Sequence, residues 1–294
     1  MIAFTAKKAL LDRIAKAEGE EGWTLPAFST PPADIAAFSL EYGLHPAFVN
    51  LLIAIGGIDL GFWRQVIEGL PSGADSRLLV TRWIGWLWTD PEHGLRSKIA
   101  DEKLKAGGDL ILDLQERAAS GEDISKSQWR SARSALANAA TSDEVETAAA
   151  AGAAAAGWDL ESVPGAAADM IYAWKGTFFA EIDRDLGWND EKEAAANQRR
   201  EKIHSAGLAY ADSDAARSEA SAAEGAAKDE ASMARYREQY QKGVQDYVAA
   251  NPSDLDRRDE LRNASYLEMY RLGREGLLRQ IGQLGDGRPE SAVA

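Results

Sequence analysis

Residues 77–88 read RLLVTRWIGWLW, and this stretch is the strongest indicator of the fold class. Leu79, Trp83 and Trp86 recur at steps of four and three residues, which places them along one stripe of an α-helix. A strand would instead alternate apolar and polar side chains from one residue to the next. The stretch therefore predicts an apolar helix, which Pro91 ends.

The large aromatic residues are concentrated in the first two thirds of the chain. All nine Trp and all seven Phe precede Asn189, and Tyr is the only aromatic residue type beyond it. Large aromatic side chains bury the most apolar area per residue, so we expect the compact core in this part. The sequence predicts two parts: an aromatic-rich helical body (residues 1–190) and an Ala- and charge-rich helical extension with a frayed C-terminus (residues 191–294).

The extension contains two long helical patterns. The first runs from Glu191 to Val248, and the second follows Pro252 and runs from Asp254 to Leu284. Paired helices with small contact residues are typical of a hairpin or coiled-coil-like arm. Solvated helices with so little apolar surface would be marginally stable, so we expect the arm to dock on the body or on another subunit. The fold class predicted is all-α: an irregular helical body with a long C-terminal helical hairpin or arm.

The amino-acid composition excludes several kinds of site and argues against a secreted or membrane-spanning protein. The chain has no Cys, which excludes disulfides, thiolate nucleophiles and Cys-ligated metal centres. Charged residues interrupt the N-terminal apolar region that a secretory signal would need. The longest apolar stretch, Ala47 to Trp63, contains Asn50 and Asp59, so it reads as a buried helix rather than a membrane span. We expect a cytoplasmic protein without a membrane segment.

The net charge is −14, from 33 basic and 47 acidic residues. Binding to a phosphate backbone needs clustered positive charge, so this balance argues against a nucleic-acid partner. Solubility explains the acidic character, and attraction of a basic protein partner is the alternative explanation.

Residues suited to catalysis or metal binding are few. No phosphate-binding loop, dinucleotide fingerprint, nucleophile elbow or zinc-protease motif is present. His93 follows Glu92 in a short turn, but no second His stands at ligand spacing, so we expect no metal and no other cofactor. His45 reads as a structural residue and His204 as a surface residue. We expect no catalytic residue.

Carboxylate pairs offer the least favoured alternative, a helical enzyme. Such an enzyme would use Glu92 with His93, or Glu181 with Asp185, as acid and base. Acid-rich helices produce such pairs by chance, and Arg184 is the expected charge partner of the second pair.

The tryptophan cluster of residues 83–88 is the candidate recognition surface, because Trp is enriched among interface anchors. Core packing is the alternative explanation for the same residues. Acidic residues at a nearby turn and at one helix start could add contacts to a basic partner. The candidate partner-binding residues are Trp83, Trp86, Trp88, Asp90, Asp143, Glu144 and Glu146.

Residues 127–135, SQWRSARSA, are followed by the Ala run of residues 148–156 and by Trp158. Over residues 125–175 this pattern resembles the Ala-rich W-x-x-A-R helical arrays of bacterial immunity-type proteins. The acidic residues 143–146 interrupt the regular repeat here. The resemblance implies a cytosolic, non-enzymatic binder that neutralises a partner protein, and it transfers no functional residue.

These observations predict a non-enzymatic protein-binding protein of immunity or antitoxin type. The alternative is a structural or assembly protein of a phage or multi-subunit complex. In that case the chain would form a homo-oligomer through residues 191–284.

Overall fold

The computed structural model describes residues 4, 6–19, 33–57, 59–137, 143–213 and 230–285. These residues form twelve α-helices and one short 3-10 helix and contain no strand, which confirms the all-α prediction. The helices are α1 (Lys7–Gly19), α2 (Ala33–Tyr42), α3 (Pro46–Gly56), α4 (Leu60–Gly69), α5 (Ser76–Thr89), α6 (Glu102–Ala119), α7 (Lys126–Ala137), α8 (Glu144–Ala156), α9 (Ala166–Asp185), α10 (Asp190–Ala211), α11 (Glu230–Ala250) and α12 (Asp256–Gly285), with the 3-10 helix Leu95–Lys98 between α5 and α6.

The chain divides into two compact units. The first unit comprises Met1–Glu181 with Ser265–Ala294, and the second unit comprises Ile182–Ala264. This division differs from the single boundary at residue 190 that the aromatic distribution suggested. The second half of α12 belongs to the aromatic unit, because Leu277 and Ile281 are buried in its core.

The core of the first unit is built on aromatic side chains. Trp63, Trp83, Trp88 and Trp174 are all buried, together with aliphatic residues of the surrounding helices. Helix α5 begins where Asp75 accepts hydrogen bonds from the backbone N–H groups of the first turn, at 2.9 and 3.3 Å. This N-cap and the apolar spacing together explain why the helix starts at Ser76.

Helix α6 is continuous across Gly107 and Gly108, although glycine is a poor helix former. The two glycines instead permit close packing. A Cβ on Gly108 would lie 2.2 Å from the ring of Trp88, and one on Gly107 would lie 3.2 Å from Leu136. The missing side chains leave space for two large neighbours, so these glycines serve packing rather than a turn.

The C-terminal part of α12 docks on the body of its own unit. The indole N–H of Trp83 donates to the backbone oxygen of Gly273 at 3.1 Å. Arg274 donates to the backbone oxygens of Ile55 and Gly56, at 2.8 and 3.1 Å, at the C-terminal end of α3. A cation at that position is favoured because these carbonyls have no partner within the helix.

The second unit contains a helical hairpin, although not the predicted one. The helix that begins at Asp190 ends at Ala211 rather than continuing to Val248, and residues 214–229 lie outside the described part of the chain. Helices α10 and α11 then pack antiparallel, with His204 beside Tyr240.

Small residues allow the two hairpin helices to approach closely. A Cβ on Gly243 would lie 3.0 Å from the backbone oxygen of Ala206 and 3.2 Å from Cα of Gly207. The predicted pairing of 191–248 with 254–284 is therefore not confirmed, because in the described residues 230–250 fold back on 190–211. The C-terminal ending from residue 286 lies outside the described residues.

Within the described ranges, no single helix is long and apolar enough to cross a membrane. One pair, Ile35–Tyr42 with Pro46–Gly56, meets the length and composition criteria together but is bent by 112°. The second helix of that pair has Phe48, Leu51 and Leu52 fully buried in the core. Its apolar character is thus accounted for by core packing, as the sequence predicted for this stretch.

Candidate protein-binding surface

Two of the three tryptophans proposed as a recognition surface are buried. Trp83 is 0% exposed and Trp88 is 2% exposed, while Trp86 is partly buried. The indole of Trp88 donates to Asp109 at 2.8 Å, and Trp83 is bonded to α12. Because α5 is covered by both α6 and α12, its aromatic residues fill the core. Trp83 and Trp88 are therefore packing residues rather than partner contacts.

The acidic candidate residues mostly bind the chain's own backbone. Asp90 accepts from the N–H groups of the next turn at 3.1 and 2.9 Å. Asp143 caps α8 by accepting from Val145 and Glu146, at 2.8 and 3.0 Å. Glu146 accepts two backbone hydrogen bonds at 2.8 Å from residues 100 and 101, whereas Glu144 is exposed. Hydrogen bonds from the chain's own backbone therefore account for Asp90, Asp143 and Glu146.

The acid–imidazole pair of the loop after α5 is open to solvent. Nε2 of His93 lies 3.7 Å from the carboxylate of Glu92, which is 82% exposed. Glu181, the other acid considered, is paired with Lys98 at 2.6 Å. In the parts of the chain that the structure describes, no group of three or more His, Asp or Glu could hold a metal ion.

Arg184 lies 3.7 Å from Asp185, an acid of the pair whose charge partner it was expected to be. The neighbouring acid Asp183 is held by arginines of α12. Arg258 donates to both of its carboxylate oxygens at 2.7 Å, and Arg262 donates at 2.5 Å. A bidentate arginine pair is a strong, directional contact, so this acid serves the packing of the second unit.

Two of the three histidines have structural contacts. His45 is 4% exposed, and its Nδ1 accepts from the backbone of Ala47 at 3.1 Å, which caps α3. Its Nε2 lies 3.2 Å from Glu161, outside hydrogen-bond geometry. Burial lowers the pKa of His45, with the nearby carboxylate opposing the effect. His204 lies on the surface, as predicted, and its Nδ1 is 2.8 Å from the hydroxyl of Tyr240.

A different cluster of large side chains is exposed on α9 and α12 of the first unit. Leu267 is 70% exposed, Tyr172 is 62% exposed and Tyr266 is 37% exposed. We call this cluster the tyrosine surface, and its members are Tyr172, Lys175, Phe179, Tyr266, Leu267 and Tyr270.

Lys175 lies at the centre of the tyrosine surface. Its Nζ is 5.5 Å from the ring centroid of Tyr172, 5.7 Å from that of Phe179 and 5.6 Å from that of Tyr266. These distances fall within the range of cation–π attraction, which extends to roughly 6 Å. Within the described part of the chain, no carboxylate forms an ion pair with this lysine. The three rings are therefore held around one cation.

Tyr266 and Tyr270 form a second ordered pair. Their rings are 4.5 Å apart at 82°, and the hydroxyl of Tyr270 donates to that of Tyr266 at 2.6 Å. Burial raises the pKa of Tyr270, and the hydrogen bond to Tyr266 adds to the shift. Tyr270 is therefore neutral at physiological pH, and its ring forms an edge-to-face contact with the ring of Tyr266, a favourable geometry.

A groove of about 530 Å³ adjoins the tyrosine surface. Its apolar wall contains Phe62, Leu267 and Leu278, and the rest of its lining is polar or charged except for the ring of Tyr270. Arg274 lies 4.9 Å over the ring of Phe62 and is paired with Asp59 at 2.6 Å. An apolar centre with a polar rim is the usual anatomy of a protein interface.

Half of the tyrosine surface could have been found from sequence spacing. Tyr172, Lys175 and Phe179 lie at positions i, i+3 and i+7 of one helix, so they share a face. The spacing does not show whether this face is exposed or buried, because Trp174 and Met170 of the same helix belong to the core.

The large side chains of the last helix include both buried and exposed ones. Leu277 and Ile281 are buried, whereas Tyr266 is exposed, because burial along this part of α12 begins at Met269. Leu277 and Ile281 pack within their own unit. Residues 191–284 could therefore not use Leu277 and Ile281 for oligomerisation without removing them from the core.

The segment that resembles immunity-type proteins is partly buried. Trp129 is 4% exposed, whereas Trp158 is 42% exposed and has the guanidinium of Arg133 at 3.4 Å from its ring. Comparison with protein-family models, with curated proteins and with solved structures gives no match. The resemblance over residues 125–175 therefore depends on the sequence pattern alone.

Proposed function

We propose that the chain is a non-enzymatic protein-binding protein and that its partner docks on the tyrosine surface. The observation that carries the proposal is the exposure of Leu267 and Tyr172, at 70% and 62%, beside three other aromatic rings. Contiguous apolar patches on soluble proteins are usually interaction sites. Tyrosine is also enriched among the residues that dominate binding energy.

The order of the tyrosine surface supports this assignment. Lys175 holds its surrounding rings, and Tyr266 is hydrogen-bonded to Tyr270 at 2.6 Å. Side chains that are already ordered lose little conformational entropy on binding, which increases affinity. The adjacent groove next to Leu267 offers a place for an apolar anchor of the partner.

The partner we propose is a basic protein, since a net charge of −14 accelerates encounter with a positively charged one. Immunity or antitoxin activity is the narrower form of this proposal, and the resemblance of residues 125–175 supports it. We place the protein in the cytoplasm, because a chain without Cys has no need of an oxidising compartment.

Site-specific photocross-linking tests the location of the surface. Benzoylphenylalanine is introduced at position 267 of the full chain, and the matched control carries it at Leu40, which is 81% exposed on α2. In cells that express the natural partner, we expect a discrete cross-linked protein from position 267 and not from position 40. Identical products from both positions would contradict the proposal.

The captured protein then allows a measurement of affinity. Truncation of a dominant interface residue typically costs about 2 kcal/mol or more, or roughly a 30-fold loss of affinity. We expect at least this loss for Tyr172→Ala combined with Leu267→Ala, and no loss for Leu40→Ala. Unchanged affinity in the double variant, with an unchanged melting temperature, would place the partner elsewhere.

A further inference from the structure

A second groove, of about 730 Å³, lies between α5, α6 and α12 in the first unit. Its apolar lining includes Leu78, Trp86 and Leu112, and its polar lining includes Arg82 and Arg279. None of its lining residues belongs to the tyrosine surface. The volume falls within the roughly 300–1,000 Å³ that is common for small-molecule sites.

In the part of the chain that the structure describes, the two arginines of this groove lack acidic partners. Among the described residues, neither Arg82 nor Arg279 forms an ion pair or a side-chain hydrogen bond, although the chain has 47 acidic and 33 basic residues. Arg77 on the same helix is paired with Glu161 at 3.2 Å. The lining also includes one acid, Glu116, so the groove has a net positive lining in an acidic protein.

Two residues that line the groove also have hydrogen-bonding groups without a partner among the residues that the structure describes. These groups are the hydroxyl of Thr81, a residue only 3% exposed, and the indole N–H of Trp86, and both are buried. Thr89, on the same helix, shows the usual arrangement, since its hydroxyl donates to the backbone oxygen of Gly85 at 2.8 Å. Buried polar groups normally find a partner, so two exceptions in one groove are informative.

We propose that this groove binds a small organic anion with an apolar body. The apolar body would pack on Trp86 and Leu112. Its carboxylate, sulfonate or phosphate group would pair with Arg82 and Arg279, since guanidinium groups bind such anions through charge-assisted hydrogen bonds. The proposal is independent of the protein-binding function, because the two surfaces share no residue.

Fluorescence titration of the full chain tests this site with two probes of similar shape. Anilinonaphthalene sulfonate has an aromatic body and an anionic group, and N-phenylnaphthylamine has the aromatic body without the charge. We expect the sulfonate to bind more tightly than the neutral amine. In the double variant Arg82→Gln/Arg279→Gln, the affinity for the sulfonate should fall about tenfold or more, because hydrogen bonds to a charged group are lost. Binding of the neutral probe should change little in the same variant.

Matched variants separate the groove from non-specific binding. Arg130→Gln removes one exposed arginine of α7 and should leave the sulfonate affinity unchanged. Gln283→Trp replaces an exposed lining residue with a bulky one, so it should block both probes while circular dichroism shows an intact fold. The proposal is overturned by unchanged sulfonate binding in the double arginine variant or in Gln283→Trp. Equal weakening by Arg130→Gln would overturn it as well.

Discussion

Replacing Gly276 by Ala should destabilise the first unit, although alanine is the better helix former. A Cβ at this position would lie 2.5, 2.6 and 2.7 Å from three carbons of the Trp86 ring. Carbon atoms pack best at about 3.5–4.0 Å, so the ring would have to move by about 1 Å. That movement is opposed by Trp83 and Trp174, whose ring centroids lie 6.0 and 6.2 Å from that of Trp86.

The magnitude follows from two opposing effects. Overpacking of a filled core typically costs about 1–3 kcal/mol. Replacing a helical glycine by alanine stabilises the helix by about 1 kcal/mol. Gly282 of the same helix provides the control, because nothing lies within 4 Å of its Cβ position. We therefore expect Gly282→Ala to be neutral or stabilising, and Gly276→Ala to be less stable than Gly282→Ala by about 1–3 kcal/mol.

Equilibrium unfolding in urea, followed by circular dichroism, measures this difference. The midpoint concentration should fall in Gly276→Ala relative to Gly282→Ala, with little change in the slope. In a Trp86→Leu background the cost of the alanine should decrease, because the smaller side chain removes the clash. Equal stability of the two alanine variants would refute the packing of Trp86 against α12.

Two further predictions concern the hairpin and pH. Gly243→Ala places a Cβ 3.0 Å from the backbone oxygen of Ala206, so we expect α10 and α11 to separate and their amides to exchange faster with deuterium. Unchanged exchange would contradict the close approach. Burial lowers the pKa of His45, so the unfolded chain takes up its proton first as pH falls below about 6.5, and stability declines there. The variant His45→Asn should keep the helix cap, because Asn is a good N-cap residue. Between pH 7 and pH 5 its free energy of unfolding should fall less than that of the wild type. Equal losses in the two proteins would exclude a contribution from His45.

The sequence alone was sufficient for several local features of the fold. The expected helix of residues 77–88 is observed as Ser76–Thr89, and Asp143 caps α8 at the start of the Ala run. Backbone hydrogen bonds and caps of a helix involve residues only a few positions apart, so spacing and capping residues reveal them.

Burial was less predictable than helix position. The three tryptophans of α5 and the tyrosines of α9 and α12 are all large aromatic residues, yet Trp83 is fully buried and Tyr172 is 62% exposed. Composition cannot separate these cases, because exposure depends on which other helix covers each face. Two of the predicted recognition residues, Trp83 and Trp88, are therefore core residues, and the exposed aromatic surface lies elsewhere.

The amino-acid sequence by itself determined the all-α class, the caps of several helices and the concentration of the aromatic core. Only the tertiary structure decided where the helix from Asp190 ends and how α12 docks. Trp83 and Gly273, which are bonded at 3.1 Å, are 190 positions apart in the chain. Contacts between residues so distant in the chain depend on how the helices pack together. The spacing of apolar residues within one helix carries no information about them.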